Sequence, residues 1–255
     1  MLLENYRDLE QYLLDATLRY MLFEEPAWPR LVAIIYEAAR RVQNLLSTAR
    51  LYLDQVKHDL SSMYGSENAN ASAFVQATNK EYNERLGYRT MEALRNYMQH
   101  RSLPLGEVSL GGERRKLPSG EMGVTTIRLK LDVAALDDDP KFKAAVRDEL
   151  KAIKGEVEIK KLVRDYIEGL ATIHMQVRSI LARDIPGWES ILQEAVKRFE
   201  QAFPENPQHV SIVARHEDGR AESEDIFQDF LERRRLLESK NSKGRHIGGH
   251  VVSSE

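Results

Sequence analysis

The sequence predicts a mainly α-helical protein with a small β insertion near its middle. Three observations predict it. Apolar residues recur at intervals of three and four along most of the chain, the period of a helix with one buried face. Only 14 Gly and 8 Pro punctuate 255 residues, of which 42% are hydrophobic and 30% charged, a composition that suits helices better than a sandwich or a disordered chain. In one central stretch the period shortens to two, which marks a half-buried strand.

The first stripe runs through Leu2, Tyr6, Leu9, Leu13, Ala16 and Tyr20 and ends near Glu25. Pro26 and Pro29 bracket Trp28 and break it. A second stripe, Leu31, Ile34, Ile35, Ala38, Val42, Leu45, Ala49, Leu53, Val56 and Leu60, makes a long helix, and an antiparallel hairpin of the two is the economical arrangement. The polar break from Gly65 to Asn70 supplies capping side chains for a third helix to about Arg85. Gly87 punctuates again, and a fourth helix covers Tyr88 to Leu103 before Pro104 stops it. From Thr126 to Val133 apolar Ile127, Leu129, Leu131 and Val133 alternate with Arg128, Lys130 and Asp132, a strand whose expected partner is Glu107 to Leu110 across a glycine-rich link. Asp137, Asp138 and Asp139 before Pro140 signal a return to helix. A short helix to about Lys154, a long one along Ile159 to Leu181, and another from Trp188 to Phe203 follow. Residues 209–215 read as a third strand closing on the middle pair, residues 221–238 as a last helix, and the tail from Ser239 as disordered. The expected division is a helical bundle over 1–106, a β-hairpin insertion over 107–139, helices completing the bundle over 140–206, a strand and terminal helix over 207–238, and the tail over 239–255.

Charge and composition narrow the chemistry. Lys plus Arg number 37 against 40 Asp plus Glu, a formal charge of −3, so broad electrostatic coating of nucleic acid is excluded and any polyanion must meet a local cluster. With no cysteine there is no disulfide, thiolate metal site or cysteine nucleophile. The absence of long apolar runs and the charges on the first twenty residues lead us to expect no signal peptide and no membrane contact, and a cytoplasmic location. No phosphate-binding glycine loop and no metal-ligand spacing stand out, so no cofactor and no metal are expected.

Histidine is therefore the natural titrating group near neutral pH. Of seven, His174 falls on an apolar stripe and reads as a packed core residue, His246 and His250 lie in the tail, His58 nears a helix end, and His209 and His216 flank a candidate strand. His100 stands apart, because it closes the run Arg95-Asn96-Tyr97-Met98-Gln99-His100. A bare Arg-x4-His occurs by chance about 0.7 times in such a chain, and Arg245 with His250 is a second instance; requiring Asn after the arginine lowers the expectation to roughly 0.02. On a continuous helix Met91, Leu94 and Met98 would face the core, while Arg89, Asn96 and His100 would share another face.

This run resembles the Arg-x4-6-His motif of the HEPN superfamily (higher eukaryotes and prokaryotes nucleotide-binding), helical bundles many of which are metal-independent ribonucleases; its RNxxxH form resembles that of abortive-infection branches. The resemblance implies a HEPN-like antiparallel bundle carrying the β insertion and extra C-terminal helices, with attack of an RNA 2′-hydroxyl on the adjacent phosphorus. His100 would be the acid or base, Arg95 would hold a phosphate oxygen, and Asn96 would orient the phosphate or the imidazole. It further implies RNA as substrate, a homodimer with a composite site, a role in host defence or a toxin system, and a protein inhibitor or antitoxin as a further partner. Ser102 stands where one branch carries a tyrosine whose modification silences the toxin, so that handle is missing. Arg89, Arg101, Arg40, Arg41, Arg114, Arg115 and Lys116 are the candidate RNA-binding cations. Two other readings stay open: a HEPN-like bundle that binds RNA, nucleotide or protein without catalysis, and an unrelated helical scaffold.

Overall fold

The computed structural model describes residues 1–23, 28–117, 120–205, 210–226 and 229–240, without the side chains of 113–115, 117, 121 and 122. The chain is mainly helical with two small antiparallel sheets. Its described residues divide into two compact units, 1–173 and 174–240.

In the first unit α1 (Leu2–Phe23) and α2 (Trp28–Tyr64) are antiparallel, as expected. Asn5 near the start of α1 donates to the Thr48 hydroxyl at 2.6 Å, and Asp8 lies 3.2 Å from Arg41. The stripes read from the sequence form the seam: Leu9, Leu13 and Ala16 are buried on α1, and Ile34, Ala38, Val42, Leu45, Ala49 and Leu53 on α2. Pro29 occupies the first turn of α2, where its missing N–H costs no helical bond. Asn68 caps α3 (Ala69–Glu84), its side chain accepting from the Asn70 N–H at 2.8 Å.

The next two features differ from expectation. Arg85, with extended backbone, separates α3 from α4 (Leu86–Met98), so the break falls before Gly87 and the glycine lies inside α4. Its absent side chain answers a close approach: a Cβ there would meet the Leu162 carbonyl oxygen at 2.5 Å and the Asp165 Cβ at 2.6 Å. At the other end α4 stops at Met98 rather than Leu103, because Gln99, His100, Arg101 and Ser102 offer no apolar group to hold another turn on the core. Leu103, expected in the helix, is buried beyond it and leads into β1.

The insertion is a long hairpin, β1 (Leu105–Leu117) with β2 (Gly120–Leu131). The glycine-rich link is largely strand, since Gly111 pairs with Thr126, Gly112 with Thr125 and Gly123 with Arg114; a glycine weakens a ladder but keeps both backbone hydrogen-bonding groups. Pro118 lies outside the described residues. Ile127, Leu129 and Leu131 face the core. After β2 the Asp132 carboxylate accepts from the N–H groups of Ala134 and Ala135 and caps a 3-10 turn over Ala134–Asp138, ahead of α5 (Ala144–Ala152). The aspartate triplet thus ends a turn instead of opening a helix.

Helix α6 (Ile159–Leu181) is as expected. Its first half binds the bundle: Arg164 clasps Glu10 of α1 through two hydrogen bonds of 2.7 and 2.9 Å, the buried Tyr166 donates to Glu92 of α4 at 2.7 Å, and Asp165 accepts from Arg85 at 2.8 Å and from the Gly87 N–H at 2.7 Å.

The second unit holds the end of α6, α7 (Ile185–Ala202), β3 (Val210–Arg215), β4 (Ala221–Ile226) and α8 (Phe230–Lys240). Two expectations are corrected. The strand at 210–215 does not close on the middle pair; it forms a sheet of its own with β4. Residues 221–226, read as the start of a helix, are that partner strand. The sequence misleads because Glu222, Glu224 and Asp225 are polar residues poor in strand propensity, and the pairing supplied across the turn at Gly219 decides the conformation. Ser239 and Lys240, assigned to the tail, belong to α8; residues 241–255 and His209 lie outside the described residues.

Candidate functional site

Helix α4 positions the motif. It is held by buried Tyr88, Met91, Leu94, Tyr97 and Met98, so its C-terminal end is anchored from within. Arg95, in the last turn, is half-buried. Its guanidinium donates to the Asn96 side-chain oxygen at 3.0 Å. It also lines a pocket of about 130 Å³ with Gln43, Leu46 and Ser47 of α2 and with Met98 and Gln99. Among the described residues no carboxylate pairs with it. His100 lies in the turn beyond α4, exposed, its backbone N–H donating to the Tyr97 carbonyl at 3.2 Å. Because α4 ends at Met98, the shared helical face expected for Arg89, Asn96 and His100 does not extend to His100.

The other candidate cations are not gathered around this turn. Arg89 is bound to Glu149 of α5, with an Nε to Oε1 distance of 3.0 Å, and to the Asn83 carbonyl; only 16% of its side chain is exposed. Arg41 lies over the Tyr12 ring at 4.1 Å and is paired with Asp8 and Glu37. Arg40 also pairs with Glu37, and these two arginines hold the Glu37 carboxyl below its ordinary pKa. Arg101 donates to the Asp138 carbonyl at 3.1 Å and lies 5.9 Å from the Tyr97 ring. Arg114 and Arg115 are placed by their backbones opposite Gly123 and Met122, and Lys116 is exposed opposite Glu121, all in the distal part of the hairpin. His174 is partly buried, and burial together with the neighbouring Arg178 lowers its pKa, which disfavours the imidazolium.

A larger pocket, about 460 Å³, lies between β2 and the start of α6. Its charges are mostly satisfied in place: Arg164 by Glu10, Asp165 and Glu168 by Arg85, and Lys160 and Lys161 by Glu158 at 3.7 and 3.5 Å. It contains no histidine. Among the described residues no group of three or more His, Asp or Glu is placed to hold a metal ion, and no helix is long and apolar enough to cross a membrane.

The chain matches no protein-family model, no curated protein and no solved structure. Its site must therefore be read from its own geometry. Sequence reasoning missed Gln43 and Ser47, which sit one turn apart on α2 and bring polar groups to the Arg95 pocket. Their only signal was two polar residues flanking the apolar stripe at Val42, Leu45 and Leu46, a pattern common to any helix edge.

Proposed function

We propose that the chain is a metal-independent endoribonuclease of HEPN type, with its centre at the C-terminal end of α4. The observation that carries the reading is the state of Arg95. Arg89, Arg41, Arg85 and Arg164 are each paired with carboxylates; Arg95 is half-buried, bonded to a neutral amide, and followed five residues later, beyond the end of α4, by an exposed imidazole. A guanidinium with no carboxylate on it is open to an anion, and a phosphate is the anion its planar fork suits.

In the proposed reaction the 2′-hydroxyl gives its proton to a base and attacks the adjacent phosphorus. The bond to the 5′-oxygen breaks, that oxygen takes a proton from an acid, and the products carry a 2′,3′-cyclic phosphate and a 5′-hydroxyl. Arg95 offsets the charge gathering on the non-bridging oxygens, Asn96 fixes the guanidinium, and His100 serves as acid or base, a role open to an imidazole at neutral pH. One imidazole does not fill both proton-transfer roles in a single step, and a second copy of the chain is the proposed source of the other. Host defence or a toxin system, with a protein inhibitor, is the setting that the motif's resemblance suggests.

The test is incubation of labelled total RNA in EDTA with the purified protein and with Arg95→Ala and His100→Ala. The expected result is cleavage to cyclic-phosphate ends by the parent and a loss of about a hundredfold or more in each variant. Activity that survives both substitutions, or that requires a divalent metal, overturns the proposal. Binding without cleavage that weakens in Arg95→Ala would instead support the non-catalytic reading.

A further inference from the structure

The outer edge of β2 is paired over only part of its length. Leu131 donates its backbone N–H to the Val157 carbonyl at 2.8 Å, and Lys130 bridges Glu158 in the antiparallel sense. The chain then turns into α6 at Ile159, so this third strand ends after a single bridge. Asp132, one residue on from Leu131, donates the opposite way, to the Pro104 carbonyl that precedes β1, at 2.8 Å. Inward and outward groups alternate along an antiparallel strand, so Leu129, Ile127 and Thr125 turn their N–H and C=O groups outward as Leu131 does, while Thr126 and Arg128 turn theirs to β1. Among the described residues no strand pairs with the outer edge over 124–127. That stretch is Val124, Thr125, Thr126 and Ile127, all β-branched. It carries neither the charge nor the proline that guards most strand edges. The edge opens on the pocket of about 460 Å³ between β2 and α6, a volume in the range of ligand sites. Thr126, Ile127 and Arg128 all line this groove although their side chains alternate between the faces of the hairpin, and the backbone edge is what the three share.

From this edge we propose that the groove between β2 and α6 takes an extended acidic peptide of a partner protein, added to β2 along Thr125 to Ile127. A strand edge on one wall and a helix on the other is the geometry in which a peptide joins a sheet, main-chain hydrogen bonds giving affinity and alternate side chains specificity. The peptide lies antiparallel to β2, in line with Val157 and Glu158, and takes up the edge where the chain leaves it for α6. Charge selects an acidic occupant. Lys160 and Lys161 share Glu158 at 3.7 and 3.5 Å, and Lys161 is 81% exposed; the other α6 charges on the groove are committed to Glu10 and Arg85. Arg128, exposed and paired in register with Ser109, has no carboxylate on it among the described residues. It also lines a second depression with Ser109, Gly111 and Gly112, where the missing glycine side chains leave room beside it. A glutamate or aspartate opposite Arg128 shares its face of the widened sheet, where cross-strand pairs of opposite charge attract, and an apolar residue next to it falls on the face of Ile127. The groove contains neither Arg95 nor His100, and the inference holds whether or not the chain cuts RNA.

The probe is a fluorescein-labelled heptapeptide of alternating valine and glutamate, valine at both ends, titrated with the full chain. It should bind, and the same peptide with lysine for glutamate should bind about tenfold or more weakly. Arg128→Glu, at an exposed position, should reverse that preference with unchanged circular dichroism. Thr125→Pro removes one outward N–H and leaves the bonds to β1, a place where a strand tolerates proline, and should weaken binding about tenfold. Amide exchange in the complex reads the geometry directly. Thr125 and Ile127 should slow about tenfold or more when the glutamate peptide is added, and Thr126, already bonded to β1, should not. No binding at the highest soluble protein concentration, equal affinity for the two peptides, a Thr125→Pro variant that binds as the parent does, or slowing that does not alternate along β2 overturns the inference. So does a groove that prefers a labelled oligouridine, with Arg128→Glu losing it and Thr125→Pro keeping it, which would make the groove a path for RNA. Peptide binding is read without RNA, so it can fail while ribonuclease activity stands, and the reverse.

Discussion

At the scale of single residues, glycine shows how little a residue's type says without its neighbours. Gly87 and Gly187 both lie in the first turns of helices, and propensity favours alanine over glycine in either place by about 0.5–1 kcal/mol. The two should nonetheless respond with opposite sign. Nothing lies within 4 Å of a Cβ at Gly187, whereas one at Gly87 would overlap the α6 backbone at Leu162 and the Cβ of Asp165. Overpacking costs roughly 1–3 kcal/mol and outweighs propensity when the neighbour is a backbone that cannot step aside. Thermal unfolding of Gly87→Ala should therefore show a loss of about 2 kcal/mol or more, and that of Gly187→Ala a gain of about 0.5–1 kcal/mol; a neutral Gly87→Ala would mean that α4 and α6 separate easily. The candidate site shows the same limit. Arg95, Asn96 and His100 are legible from spacing and composition. That Arg89 and Arg41 are committed to Glu149 and Asp8 is not, since each partner is more than thirty residues away.

At the scale of elements, long-range ion pairs decide how helices are tied together. Burial pushes the Glu10 carboxyl up, but hydrogen bonds from Arg164 and Tyr6 outweigh burial and hold its pKa below the ordinary 4.5. A carboxyl whose folded pKa lies below its unfolded value stabilises the fold above the unfolded value, and that contribution is lost as pH falls through the folded one. Glu10→Gln should thus cost about 1–3 kcal/mol at neutral pH by leaving half-buried Arg164 unpaired, and should flatten the loss of stability below pH 4.5. Denaturant titrations across that range read both effects, and an acid limb as steep as the parent's would remove Glu10 from the account. The helices themselves were legible because a stripe of period 3.6 is a local record of burial, and α1, α2 and α6 follow theirs. The end of α4 and the strand at 221–226 were not. One depends on which residues have a core left to cover, the other on a pairing partner across a turn.

At the scale of the whole molecule, the two units differ in how much they bury. Helices α2 and α4 carry many fully buried side chains, while α7 and α8 have none and β3 buries only Val210. Local opening costs little where little apolar surface is hidden. Hydrogen exchange should therefore run about tenfold or more faster in α7, β3 and β4 than in α2 and α4; equal protection would show that the segment from His174 onward is covered in solution by something the single chain does not supply. The amino-acid sequence was sufficient to determine a mainly helical chain, the faces of its long helices, the excluded thiol chemistry and the Arg95–His100 motif, because composition and periodicity are properties of neighbours along the chain. Folding decided that Arg89 and Arg41 are committed to carboxylates while Arg95 is bonded to a neutral amide, that β3 pairs with β4, and that Gly87 lies against α6. Those outcomes depend on groups brought together from distant positions, and no local pattern records which of them will meet.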